Sequence, residues 1–557
     1  MSTLPPASSA RLISPRTSAF SVDGGGSASG RRPTDDGGGG LGLGPLPVPL
    51  PDDPASSSAA LPDPALSWGG EAALTGRLAG PLVLQDALVF ASMTVLVAIV
   101  GRASPPDLAP LVLGASFFNV MGLAAVVGVA SALETLLSQA YGYGAHADLG
   151  RLLQRALVVE GVLVCVVAVL WARADLLLRL LGEPAPLAAA AAVFVRLAAP
   201  GLAAIAAAEC MRRWLVAQHV VALPPLASGL QTAVCGAVAW ALVGRARLGL
   251  RGAAAAVCIS ATAAAGVLAA GSALHHRSRV AGGAKPTWVP WSAASLRGLG
   301  AYLRVALPSA ALVVMEWVAL EFLVLASGWG PHPETGVAVS GIFFQTMTLV
   351  YAIPLGVSAA ASTRVGRELG AGRPRAAARA AAVAIAGTAA VGVCVGLAVG
   401  AGSGAWTRVF SADPAVLALA ARVAPWVSVA VVGDAINGAS AGVIRGAGRQ
   451  GTAAGLAAVS YWVLGLPTAV GLAFGRPKLG VVGLWAGLAS SSALQAVAMA
   501  TLVARLDWAG ESRAARARVV ASCGGGEGEG EGGEAVPPLP PAPPVLATLP
   551  PVPAAGL

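Results

Sequence analysis

Charge is scarce in this sequence. Asp, Glu, Lys and Arg make up 11% of 557 residues, where a soluble domain carries about 25%. Lysine is almost missing, Lys285 and Lys478 being the only two, so the net charge of +9 rests on arginine. The arginines fall in short loops between apolar runs, which fits membrane topology better than nucleic-acid binding. Six cysteines contain no CxxC: Cys165, Cys210, Cys235, Cys258 and Cys394 lie in or beside apolar runs, and Cys523 lies near the C-terminus. Neither a zinc site nor a disulfide framework is indicated. The five histidines form no HxxxH or HExxH, and no GxxxxGK[ST] occurs. A membrane metalloenzyme and an ATP-driven pump are therefore disfavoured. We expect no enzymatic activity, no metal and no cofactor. Residues 1–77 hold no apolar h-region, so the first span is expected to serve as the insertion signal.

Apolar surface is abundant instead. Hydrophobic residues make up 56% of the chain and the mean hydropathy is +0.73. The apolar runs are about 20 residues or longer, too long for barrel strands, and lipid cannot satisfy an open sheet edge. The expected fold class is an all-α polytopic membrane protein with twelve transmembrane helices in two pseudo-symmetric six-helix lobes. The spans are expected at about 80–100, 108–132, 152–172, 186–208, 221–243, 252–273, 303–327, 336–359, 377–400, 415–440, 452–474 and 481–505. Composition divides the rest: a disordered tail at 1–77, a first lobe at 78–274, a cytoplasmic linker at 275–300, a second lobe at 301–508, and a disordered Gly/Glu- and Pro-rich tail at 509–557.

The two lobes are copies, displaced by about 226–232 residues. Pro81 recurs as Pro308. Phe117-Phe118-Asn119 with Met121 recurs as Phe343-Phe344-Gln345 with Met347. Arg213 with Gln218 recurs as Arg445 with Gln450, and Leu248-Gly249-x-x-Gly252 as Leu479-Gly480-x-x-Gly483. Two related hydrophobic halves are the layout of a secondary transporter. Sixteen Arg and Lys residues lie in the loops after even-numbered spans and nine in those after odd-numbered spans, so both tails are expected in the cytoplasm. Six spans per half is an even number, so the pseudo-two-fold axis is expected along the membrane normal.

An ionisable group inside a span asks for a reason. Glu316 and Glu321 lie in span seven; five positions at about 100° each place them roughly 140° apart around the helix. Asp434 and Asn437 lie three apart in span ten and share a face, with Gly433 and Gly438 allowing close helix approach. Glu316, Asp434 and Glu321 are the candidate proton carriers. Asp86, Asn119, Gln345, Asn437, Tyr351 and Trp317 are candidates for the substrate cavity. Glu160 in span three is a further intramembrane acid of the first half, expected to snorkel or pair. Arg196 and Arg422, each before a proline in equivalent spans, are expected to pair with carboxylates or carbonyls, and Glu134 and Glu209 are read as interfacial.

Several ordered motifs resemble the multidrug and toxin extrusion (MATE) family, in particular its plant and other eukaryotic members, over about residues 78–508. Ala132-Leu133-Glu134-Thr135 through Gly142 resembles the ALDT-x-x-xQAxGA stretch, with Glu for the usual Asp. Pro308 to Glu321 resembles P-x7-EWWxxE, with Val318 for the second Trp. Arg364 to Gly372 resembles RVxNELGAG, with Arg367 in the Asn place, and Gly442 to Gln450 resembles GxxRGxGxQ. Tyr461-Trp462-x-x-Gly465-Leu466-Pro467 and Gly483-Leu484-Trp485-Ala486-Gly487 complete the series. The resemblance implies alternating access and antiport, protons entering as a small organic compound leaves the cytosol. It implies that Glu316 and Asp434 couple protons, and Glu321 matches the second Glu of the signature. The expected partners are the substrate, protons and the lipid bilayer, in a monomer of the plasma or vacuolar membrane, without nucleic acid. The alternatives are a lipid-linked saccharide flippase of related fold and a citrate-type organic-anion carrier. An ion channel is disfavoured because no filter-like repeat occurs.

Overall fold

The computed structural model describes residues 67–523 apart from 292, 331 and 477. Twelve helices in it are long and apolar enough to cross a membrane: α1 (Trp68–Ala103), α2 (Pro105–Tyr143), α3 (Asp148–Trp171), α4 (Ala185–Ala217), α5 (Leu223–Arg245), α6 (Gly249–Ala281), α7 (Leu299–Trp329), α8 (Pro333–Gly370), α9 (Pro374–Phe410), α10 (Pro414–Ala447), α11 (Gln450–Phe474) and α12 (Val481–Ala504). A thirteenth helix, α13 (Trp508–Cys523), follows. No strand occurs among the described residues. The all-α class and the twelve spans are thus as the sequence indicated.

Three boundaries differ, the first being the linker expected from 275, since α6 runs on to Ala281; the other two are at the tails. Residues 68–77, assigned to the first tail, are the opening turns of α1, capped by Ser67, whose hydroxyl accepts from the Gly70 N–H at 3.1 Å. Residues 509–523, assigned to the second tail, lie in α13. Apolar-run reasoning missed both because they are held by specific partners rather than by a long greasy face. Glu71 is ion-paired to Arg364, and α13 buries only a narrow stripe. The remaining parts of those tails, 1–66 and 524–557, lie outside the described residues.

The repeat is legible in the packing. α1 lies against α8, and its repeat equivalent α7 lies against α2; α2 also lies against α8, its own equivalent. The lobes therefore meet through their first two helices each. Leu78, Ala79 and Leu82 of α1 pack with Val216 of α4 and with Ala359 and Ala360 of α8 across this seam. Elsewhere each lobe has its own core. In the first, Phe118 stacks on Trp171 at 5.0 Å between centroids; in the second, Phe343 meets Trp485 edge-on at 6.0 Å.

Between helices in lipid, small residues allow close approach. In the second lobe Gly438, Gly442 and Gly446 recur every four residues and face Pro354, Ser358 and Ser362, also every four residues, on α8. A Cβ at Gly442 would stand 2.7 Å from the Ser358 Cα, and one at Gly446 2.8 Å from the Ser362 carbonyl oxygen. Both obstacles are backbone. Gly442→Val is expected to separate α8 from α10 and cost about 3 kcal/mol or more. Gly455→Val, at a position with no neighbour within 4 Å, is the matched comparison. Thermal melting in detergent should lower the midpoint for Gly442→Val alone; equal midpoints would show that the stripe does not set the packing.

Candidate functional site: a polar cluster in the second lobe

Five helices of the second lobe aim polar side chains at one another. The i, i+3 spacing of Asp434 and Asn437 puts both on the face of α10 that meets α12. There the Ser492 hydroxyl donates to Asp434 Oδ1 at 2.6 Å. The Asn437 amide donates to the Ser492 carbonyl at 3.0 Å and to its hydroxyl at 3.3 Å. Gly433 makes this approach possible, since a Cβ there would come within 2.9 Å of the Ser492 carbonyl carbon. One turn on along α12, the Gln495 amide donates to Glu316 Oε1 of α7 at 3.3 Å. Ser492 and Gln495, three apart on one helix face, therefore each hold one of the two acids. Tyr351 of α8 and Tyr461 of α11 lie within electrostatic reach of both acids. Trp462 Nε1 donates to the Met315 carbonyl at 3.3 Å, tying α11 to α7 beside Glu316. Asp434 and Tyr351 also line a cavity between α8, α9 and α10, with Met347, Thr388 and Val391 on its walls.

Neither Glu316 nor Asp434 has an ion-pair partner among the described residues, a property they share with Asp86, Glu160 and Glu321 and that separates them from the acids clamped by arginine. Glu71 is clamped by Arg364 through two bonds of 3.0 and 2.9 Å. Glu368 takes a third bond from Arg364 at 2.7 Å. Glu209 holds Arg212 and Arg213, and Glu511 holds Arg449.

The other sequence candidates scatter. Glu321, half-buried in α7, has no hydrogen-bond partner among the described residues and stays outside the cluster. Trp317 is half-buried on the same helix and Gln345 is exposed on α8. Asn119 opens a π-helical turn, Asn119–Leu123, within α2. Asp86 is buried in α1 of the first lobe, where it accepts from the Gln85 amide at 2.9 Å and faces the charges of Glu134, Glu209, Arg212 and Arg213. Glu160 is 1% exposed in α3, with no hydrogen bond to either oxygen among the described residues. Arg196 is paired, with Asp175; Arg422 is exposed.

Sequence reasoning missed Ser492, Gln495 and Tyr461. The available signal was the polar run Ser490-Ser491-Ser492-x-x-Gln495 inside an apolar span. It also misplaced Glu134. That carboxylate is buried between the lobes, 3.2 Å from Arg445 Nε and 3.4 Å from Arg213 Nε. Around it, Thr135 donates to the Arg445 carbonyl at 2.6 Å, and the Gln139 amide to the Gly446 carbonyl at 2.8 Å. The ends of α2, α8 and α10 are thereby sealed together. In the loop beside this seal His219 contacts Arg367 at a positive φ of 63°. Burial first, then the charges of Arg367 and Arg364, push the His219 imidazole down to about 3.

Two six-helix lobes that share a repeat, each holding acids without an ion-pair partner among the described residues inside its spans, define a membrane transporter. The MatE family profile matches the chain twice, over residues 81–240 and 308–470, one match in each copy of the repeat. The chain belongs to that family, the multidrug and toxin extrusion transporters. It is 32% identical to Protein DETOXIFICATION 14 of Arabidopsis thaliana over 448 residues, covering 80% of this chain and 90% of that one. Protein DETOXIFICATION 12 of the same plant is 30% identical, with 80% and 91% covered. The crystal structure of the eukaryotic MATE transporter AtDTX14 superimposes with a TM-score of 0.76 at 31% identity, covering 81% of this chain and 99% of that one. The Vibrio cholerae MATE transporter VcmN, as its D35N mutant, shares the fold with a TM-score of 0.70 at 18% identity, covering 79% and 99%.

Proposed function

We propose that this transporter exports small organic compounds, cationic ones above all, from the cytosol in exchange for protons, with Glu316 and Asp434 as the coupling acids. The observation that carries this reading is the pair itself. Two carboxyl groups from α7 and α10 are each held by a neutral residue of the same α12 face, Glu316 by Gln495 and Asp434 by Ser492, which also takes the Asn437 amide, with no arginine in ion-pair contact with either among the described residues. Neutral donors tolerate both the charged and the protonated acid, whereas an arginine clamp would hold it ionised. When ionised, the pair attracts a cation; when protonated, it releases it. A ligand shifts the lobes only by its differential affinity for the two arrangements, so proton and cation competing for one cluster is sufficient for exchange.

No arginine is in ion-pair contact with the cluster among the described residues, which weighs against an organic-anion carrier and against the cationic site that a lipid-linked saccharide flippase requires. The arginine excess in the loops after even-numbered spans supports cytoplasmic tails. On that orientation the sealed ends of α2, α8 and α10 face the cytosol, and the conformation is outward-facing. The protein is proposed to act as a monomer in the plasma or vacuolar membrane.

Purified protein in proteoliposomes with an imposed pH gradient, challenged with a panel of organic cations, tests the reading. Uptake against the proton gradient should vanish when an ionophore collapses that gradient. Equal rates without it, or rates that follow a sodium gradient instead, would overturn proton exchange.

A further inference from the structure

We propose that α13 is a clamp that fastens the two lobes together at their sealed end and has to release before that end opens. The helix lies against α2 of the first lobe and against α7, α8, α9 and α10 of the second. Its two most buried apolar residues, one turn apart, belong to different cores. Ala515 (0% exposed) sits in the core of the second lobe, and Val519 (4% exposed) in a core built mainly by the first lobe, with Tyr302 and Ala306 of α7 at its edge.

The polar contacts repeat this division. The Arg518 guanidinium donates from Nε to Gln139 Oε1 of α2 at 3.2 Å, and from NH2 to the Ala447 carbonyl at the end of α10 at 2.6 Å. One side chain thus bridges both lobes, and its positive charge meets the negative end of α10. Gly448, at a φ of 78°, leaves the room it needs, since a Cβ there would stand 2.6 Å from the guanidinium carbon. Ser512 donates to the Leu369 carbonyl of α8 at 2.9 Å. Arg516 lies over the Tyr143 ring of α2 at 5.6 Å. Arg155 of α3 donates to the Ser522 carbonyl in the last turn at 2.8 Å.

Lobes that rock as rigid bodies cannot keep both sets of contacts when this end parts. The clamp therefore adds its free energy to the sealed state alone and sets the population that opens. The cytosolic placement of this end rests on the proposed orientation; the clamp itself does not.

Amide hydrogen exchange on the full-length protein in nanodiscs tests it without substrate or gradient, so its failure is separate from any failure of proton exchange. Arg518→Gln should raise exchange at both Ala132–Tyr141 of α2 and Ser362–Gly370 of α8, by about tenfold or more. Arg513→Gln, on the exposed side of the same helix, should leave both at the wild-type rate, and Arg518→Lys should recover part of the protection. Ser512→Ala removes a different contact and should act in the same direction, which covers failure of Arg518→Gln to fold. Faster exchange confined to α13, with α2 and α8 unchanged, would overturn the proposal.

Discussion

Glu316→Gln and Asp434→Asn are each expected to abolish gradient-driven efflux, down to the level of empty liposomes, while the protein still folds. The expectation follows from the partners. Gln at 316 keeps an oxygen to accept from the Gln495 amide, now 3.3 Å from Glu316 Oε1. Asn at 434 keeps an oxygen for the Ser492 hydroxyl, now at 2.6 Å. Stability should change by no more than about 1 kcal/mol, the net value of one such bond. What each variant loses is the ability to alternate between charged and neutral. The site is then held in its protonated likeness, and cation affinity should fall with the efflux. Glu321→Gln is the internal comparison. Its carboxyl lies five positions along α7, outside the network, and gradient-driven efflux should persist. If the Glu316 and Asp434 variants both kept full efflux, the coupling role would belong elsewhere, with Asp86 and Glu160 of the first lobe next in line.

The second large effect is expected at Arg445. Arg445→Ala removes the guanidinium 3.2 Å from Glu134 and its 2.6 Å bond to the Ser358 hydroxyl. Breaking a buried ion pair by removing one partner costs about 3–5 kcal/mol, because the other charge stays behind; Arg213, 3.4 Å from Glu134, compensates part of that charge and puts the expected cost at the lower end. Here the loss falls mainly on the sealed arrangement, since parting the lobes returns Glu134 to water. A shift of about 3 kcal/mol moves a two-state population roughly a hundredfold. Spin labels at the exposed positions Ala147 and Arg375, one on each lobe, should therefore report a longer and broader separation. The double variant Glu134→Leu with Arg445→Met leaves no orphaned charge from this pair, and should stay closer to wild type than Arg445→Ala does. Unchanged separations in Arg445→Ala would mean that apolar packing alone holds the seam.

Much of the architecture is legible in one dimension because it comes from local causes. A run of about 20 apolar residues has to be a helix in lipid, and twelve such runs in two copies make two lobes. The acids stood out for the same reason, as charges where charge is costly. The partners of those acids did not. Ser492 and Gln495 are neutral, and a serine in a helix commonly bonds its own backbone, so nothing local distinguishes Ser492 from Ser490 or Ser491. Glu134 shows the opposite failure. Its position near the end of an expected span read as interfacial, yet the meeting of α2 with α10 buries it against an arginine 311 residues away. α13 is arginine-rich and lacks an apolar run, so its packing depends on carbonyls and side chains supplied by four other helices.

The sequence by itself determined the solvent, the helices, the pairing of the two halves and which acids are costly enough to need a function. Hydropathy and periodicity are properties of a single segment. Only the tertiary structure decided that Glu316 and Asp434 share one cluster, that Glu321 stands apart from it, and that Glu134, Arg445 and α13 close one end. Those outcomes depend on which faces of distant helices meet, and a contact across some 300 residues leaves no periodic trace in the chain.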